Sequence, residues 1–152
     1  MFAPYEIDFD SRIVLAECIQ VLQHLSVSDR AKVVKTWLHG WVTTYRIKQG
    51  FLHNCLLGCA GEPDSLPHYL LCPRIFAAIR FVFPEADADP LVRCGLCRPT
   101  KQNLQMCACV FSAYHALKNQ VQSEFDACMP VDLDFYPYWR FFAQSLAAEA
   151  VD

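Results

Sequence analysis

Apolar residues in this chain recur at three- and four-residue intervals, and no run alternating between apolar and polar exceeds four residues. That periodicity predicts an all-α fold. Asp10 and Ser11 precede Ile13, Val14, Leu15, Cys18, Ile19, Val21, Leu22 and Leu25, an N-cap followed by an amphipathic helix of about four turns. Ser28 with Asp29 is placed to cap a second helix over 29–39, where Val33, Val34, Trp37 and Leu38 share a face. Gly40 leaves its end open, so residues 43–47 either extend it or start a turn. Further on, Arg74 to Phe83 reads as a helix stopping before Pro84, and Asp89-Pro90 as an N-cap with proline at N1 for a brief helix through Cys94. Thr100 caps the longest segment, 101–125, whose broad stripe of Leu104, Cys107, Ala108, Phe111, Tyr114, His115, Leu117, Val121 and Phe125 suits a central strut. After the break at Pro130, a last helix is expected over 136–151. The expectation is one irregular helical domain, 1–152, of about six helices.

The interval 49–66 breaks this pattern. Gly50, Gly58, Gly61 and Pro63 stand among polar residues, a loop signature in which a metal supplies the order that packing does not. Pro67 lies in the first turn of a short helix over 68–72. Within this interval runs Cys55-x3-Cys59-x8-His68-x3-Cys72. Zinc takes four tetrahedral ligands from thiolate and imidazole, commonly one pair on a turn and one on a helix. Glycine at 58 lets the first pair fold back on itself, and the i, i+4 spacing puts His68 and Cys72 on one helical face. Zinc on Cys55, Cys59, His68 and Cys72 is therefore expected, in a zinc-knuckle loop embedded at 50–73, with His53 as a substitute ligand. Four protein ligands close the site to a catalytic water.

Composition bounds the rest. Hydrophobic residues make up 54% of 152 and charged residues 19%, which excludes disorder. The beginning of the chain lacks the regions of a signal peptide and no apolar run reaches membrane-spanning length, so the nine cysteines are expected in a reducing, intracellular setting, nuclear or cytoplasmic. The pairs Cys94/Cys97 and Cys107/Cys109 are read as core and loop thiols rather than a second site, since 107 and 109 point about 200° apart on one helix. Cys18 and Cys128 are expected to be packed, and His115 to be a hydrogen-bonded core histidine. No phosphate loop, nucleophile elbow, His-Glu-x2-His or paired catalytic acids are present, so no enzymatic activity is expected.

Net charge is −3, yet Arg30 to Arg80 carries seven basic residues against two acids, a local balance of +5. The segment Lys35-Thr36-Trp37-Leu38-His39-Gly40-Trp41-Val42-Thr43-Thr44-Tyr45-Arg46, followed by Cys55-Leu56-Leu57-Gly58-Cys59 and Asp64-Ser65-Leu66-Pro67-His68-Tyr69-Leu70-Leu71-Cys72-Pro73, resembles the zinc-binding region that follows the polymerase domain in reverse transcriptases of non-LTR retrotransposons. The likeness spans 35–80, departs from the commoner two-residue Cys spacing, and does not include the polymerase. It implies a zinc-ligand role for the four residues above and a nucleic-acid contact at Arg46 and its basic neighbours. The expected contacts are Lys32, Lys35, Arg46, Lys48, Arg74 and Arg80 to phosphate, with Tyr45 stacking on bases. The alternative is a protein-interaction or self-association module, in which the aromatic surplus docks on a partner and the zinc is purely structural.

Overall fold

The computed structural model describes residues 11–47, 54–126 and 135–151. These residues form eight helices: α1 Ser11–Leu22, α2 Val27–Trp37, α3 Thr44–Ile47, α4 Leu66–Leu71, α5 Pro73–Val82, α6 Pro90–Arg93, α7 Lys101–Asp126 and α8 Phe135–Glu149. Among the described residues the only extended pairing is an isolated antiparallel bridge between Asn54 and Pro63, as the all-α expectation requires. The single turn α6 stands where Asp89-Pro90 announced it, whereas α3 is too short for a 3.6-residue period to separate it from the end of α2 or from a turn. No helix among the described residues is long and apolar enough to cross a membrane.

The long helix α7 is the strut. It packs against α8, α2, α6 and α1, while α5 lies against α8. Its faces serve two apolar clusters. The larger joins Met106, Val110, Phe111, Tyr114, Leu117 and Val121 to Trp41, Leu56, Leu57, Tyr69, Ile75, Phe142 and Leu146. The smaller gathers Leu104, Cys107 and Ala108 with Leu25, Val33 and Cys94. Cys107 and Cys109 thus fall in different clusters, as their angular separation on the helix demands.

Three boundaries show how local chemistry sets the path. The cap of α2 is Ser26, two residues before the expected Ser28; its hydroxyl accepts the Asp29 N–H at 3.0 Å. An exposed Val27 at the first helical position hides that start from a reading based on apolar faces. At the other end, His39 N–H bonds to Thr36 O and Gly40 N–H to Lys35 O, the paired bonds of a Schellman motif. Here His39, not glycine, takes the left-handed conformation, with φ 57°. Gly40 is needed next to it because a Cβ there would lie 2.7 Å from Lys35 O. The chain therefore turns, buries Trp41, and restarts at α3, where Thr43 Oγ1 accepts from Arg46 N–H at 3.2 Å.

The third boundary is Cys72, expected inside the short helix. It instead ends α4 and begins α5, with extended ψ of 118°. Pro73 explains the break: its ring excludes the helical conformation from the preceding residue, and its own fixed φ suits the first position of α5. At α6 the expected cap holds, with Asp89 accepting from Leu91 N–H at 2.8 Å. The expected cap at Asp10 lies outside the described residues, as do the Pro130 break, Cys128 and His53.

Candidate metal centre

Residues 55–62 form a small hairpin. Cys55 N–H bonds to Glu62 O at 2.7 Å, and Gly58 N–H returns to Cys55 O at 2.8 Å. Gly58 and Gly61 supply the positive φ values, 76° and 74°, that tighten the two bends. Ser65 then caps α4 through the His68 N–H, aiming His68 back at the hairpin. Cys72, held at the α4–α5 junction, completes the group. One ligand atom from each of Cys55, Cys59, His68 and Cys72 lies within 4.8 Å of every other.

These four residues are positioned to bind a metal ion. Cys59 Sγ and Cys72 Sγ are 3.6 Å apart, against an edge of about 3.8 Å for a tetrahedron with zinc–sulfur bonds near 2.3 Å. His68 offers the second test. Its Nδ1 lies 3.3 Å from Glu62 Oε2, whereas its buried Nε2 has no hydrogen-bond partner. Engagement of Nδ1 by a carboxylate leaves Nε2 as the lone-pair donor, the arrangement by which outer carboxylates fix a metal-binding histidine. The thiols supply the third. Hydrogen bonding from Cys72 pulls Cys55 down to about 5 despite burial, and the same bond pushes Cys72 far up. Burial, followed by the charge on Cys55, raises Cys59. Three thiols this close compete for a single negative charge, a conflict that a dication removes by ionising them together.

The cage is supported on one side and open on the other. Arg74 Nη1 donates to Leu57 O within the hairpin, and its charge favours the Cys59 thiolate. Cys55 and Cys72 are sealed, but Cys59 is only half-buried. It borders a groove of about 580 Å³ lined by Glu62, Pro63, Pro67, His68, Leu71 and Pro73.

Beneath the hairpin lies a residue to which the sequence reading gave no role. Asp64 is wholly buried and its carboxylate accepts four hydrogen bonds: Thr44 N–H at 2.7 Å, Tyr69 Oη at 2.7 Å, Tyr114 Oη at 2.9 Å and Lys118 Nζ at 2.9 Å. Burial raises its carboxyl, but bonds from Thr44, Tyr69 and Lys118 outweigh that and hold it below the usual carboxylate range. Burial, then the Asp64 charge, pushes both tyrosines upward, so they remain donors. Tyr69 Oη also accepts the Leu56 N–H at 3.1 Å, which links the ligand hairpin to Asp64 through one hydroxyl. Trp41 closes the assembly, its ring centroid 4.6 Å from Tyr114 and 6.0 Å from Tyr69. An acid followed by serine five residues after a Cys pair was visible in the sequence, but nothing local marked it as buried.

The expected nucleic-acid contacts are placed unequally. Lys35, Tyr45 and Arg46 are exposed, on α2 and α3. Lys32 pairs with Asp29 at 3.4 Å and Glu149 at 3.2 Å. Arg74 serves the hairpin, and Arg80 is exposed with Nη1 3.5 Å from Ala86 O. Lys48 lies outside the described residues. Of the remaining cysteines, Cys18 is buried and donates to Gly95 O at 3.4 Å. Cys94 and Cys107 are hydrogen-bonded neighbours in the smaller cluster, and Cys97 is half-buried. His115 accepts from Val42 N–H at 3.5 Å and its Nδ1 lies 2.9 Å from Phe111 O. Burial first, with Lys35 adding to it, lowers its basicity, as befits a neutral, half-buried histidine. No known protein family, curated protein or solved structure matches the chain.

Proposed function

We propose that this chain is a zinc-stabilised nucleic-acid-binding accessory domain, similar in role to the zinc region that follows the polymerase in non-LTR retrotransposon reverse transcriptases. The metal choice follows from the donor set: three thiolates and one imidazole at tetrahedral spacing suit zinc. With four protein ligands the ion has no open position, so its part is structural.

One observation supports the binding reading above the others. No acidic residue occurs between Arg30 and Asn54, and this acid-free stretch presents exposed Lys35 on α2 and exposed Tyr45 and Arg46 on α3, the turn bonded to Asp64. Cations for phosphate and an aromatic ring for a base are the two elements of single-strand recognition. Lys32 and Arg74, committed to ion pairing and to the hairpin, contribute little to it.

The test is fluorescence anisotropy of the metal-loaded protein with labelled single-stranded RNA, single-stranded DNA and duplex. Three phosphate contacts on a single strand, from the exposed Lys35, Arg46 and Arg80, give a slope of log affinity against log salt of about −2, or a loss of roughly 15- to 20-fold between 50 and 200 mM salt. Absence of binding to every probe at 50 mM salt overturns the reading. The second reading, docking on a protein partner or a second copy, rests on Leu38, Phe81 and Leu71, which are 75%, 74% and 57% exposed. Association that strengthens or stays constant as salt rises favours it.

A further inference from the structure

We propose that Asp64 is a positioning residue through which the metal centre sets the conformation of α3, the turn that carries Tyr45 and Arg46. As a means of regulating the nucleic-acid surface, this rests on the reading above; as a coupling within the fold, it stands on the hydrogen bonds alone.

Four residues are too few to hold a helical turn by their own hydrogen bonding. In α3, Thr44 is buried while Tyr45, Arg46 and Ile47 are exposed, so packing secures only its first residue. Arg46 and Ile47 N–H bond to the buried Thr43, and the two amides before them lead to a single residue outside the turn. Thr44 N–H donates to Asp64 Oδ2 at 2.7 Å and Tyr45 N–H to Asp64 O at 3.3 Å. Asp64 thus holds α3 with both its side chain and its main chain.

The position of Asp64 depends in turn on the cage. It lies between Cys59 and His68, preceded by the exposed stretch Ala60, Gly61, Glu62 and Pro63, which is tied to the hairpin through Glu62 O and the Asn54–Pro63 bridge. Its partner Tyr69 adjoins His68 and accepts the Leu56 N–H, one residue after Cys55. An ion that draws Cys55, Cys59 and His68 together therefore fixes both the chain before Asp64 and the hydroxyl that bonds to it. Tyr114 and Lys118 tether the same carboxylate to α7. Asp64 is the point where the metal hairpin, the strut and α3 meet.

Amide hydrogen exchange of the full chain, with zinc bound and after chelation, reads this directly. Chelation is expected to speed exchange at residues 44–47 by about tenfold, the effect of losing one hydrogen bond, while amides near Leu117 in α7 stay protected. Unchanged exchange at 44–47 beside a loosened hairpin overturns the coupling; so does equal acceleration throughout α7, since the ion would then be holding the whole fold.

Tyr69→Phe provides the test with the ion in place. It deletes the one hydroxyl that joins the Leu56 N–H of the hairpin to the Asp64 carboxylate and adds no atom to the buried site. One zinc per chain retained, protection retained in α7 and about tenfold faster exchange at 44–47 support the proposal; unaltered exchange at 44–47 refutes it. Oligonucleotide affinity measured on the same variant separates the two claims. Faster exchange in a protein whose parent binds no oligonucleotide leaves the coupling intact and removes only the nucleic-acid reading.

Discussion

Replacing Asp64 by alanine is the most severe test of the buried network. The carboxylate is fully buried and Lys118, 2.9 Å away, has a side chain 9% exposed. Asp64→Ala removes the acceptor of four hydrogen bonds and leaves an ammonium buried without its counter-charge. Breaking a buried pair from one side costs about 3–5 kcal/mol. Asp64→Asn combined with Lys118→Met removes both charges while keeping volume and an acceptor oxygen, and the expected cost falls to about 1 kcal/mol or less. Urea denaturation of the zinc-loaded proteins, each checked for one metal per chain, measures both. A cost below about 1 kcal/mol for Asp64→Ala, or a double variant as damaged as the single one, refutes the reasoning. Acid supplies a second readout. Because the folded carboxyl lies below its unfolded value, near 3.9, its stabilisation is present above that pH and is lost as pH falls through the folded value. The double variant should therefore lose the part of the acid limb below about pH 4 that Asp64 contributes.

Two further outcomes follow from named contacts. Glu62→Ala, which strips the carboxylate from His68 Nδ1, should weaken zinc binding by about 10- to 100-fold in competition with a chromophoric chelator; a change under twofold removes Glu62 from the site. His39→Gly relieves a left-handed non-glycine residue at the end of α2 and should raise stability by about 0.5–1 kcal/mol in thermal or urea unfolding. A destabilised variant would show that the imidazole makes an interaction outweighing the backbone strain.

The ligand set was legible because its information is local. Cys55 and Cys59 bracket a glycine, and His68 and Cys72 stand four apart beside prolines, so spacing alone keeps the two members of each pair near one another. The helix α6 was legible for the same reason, from Asp89-Pro90, and α7 from its long apolar stripe. What escaped is long-range. The partners of Asp64 are 5, 20, 50 and 54 residues away at Tyr69, Thr44, Tyr114 and Lys118, and no window of periodicity contains them. A lysine at 118 reads as a solvated face until α7 is placed against the hairpin. Ser26 and the turn at His39-Gly40 escaped differently: an exposed valine and an unusual left-handed histidine obscured signals that are local. Cys72 was assigned to a helix because the i, i+4 spacing dominated, although Pro73 already forbade it the helical conformation.

The half-buried Cys59 borders the proline-lined groove while Cys55 and Cys72 are shielded, so a competitor for a bound metal would meet that sulfur first. Removal should accordingly speed up in proportion to competitor concentration, each attacker loosening that one bond before the remaining three, and a bulky reagent that cannot enter the groove should be slow however tightly it binds zinc.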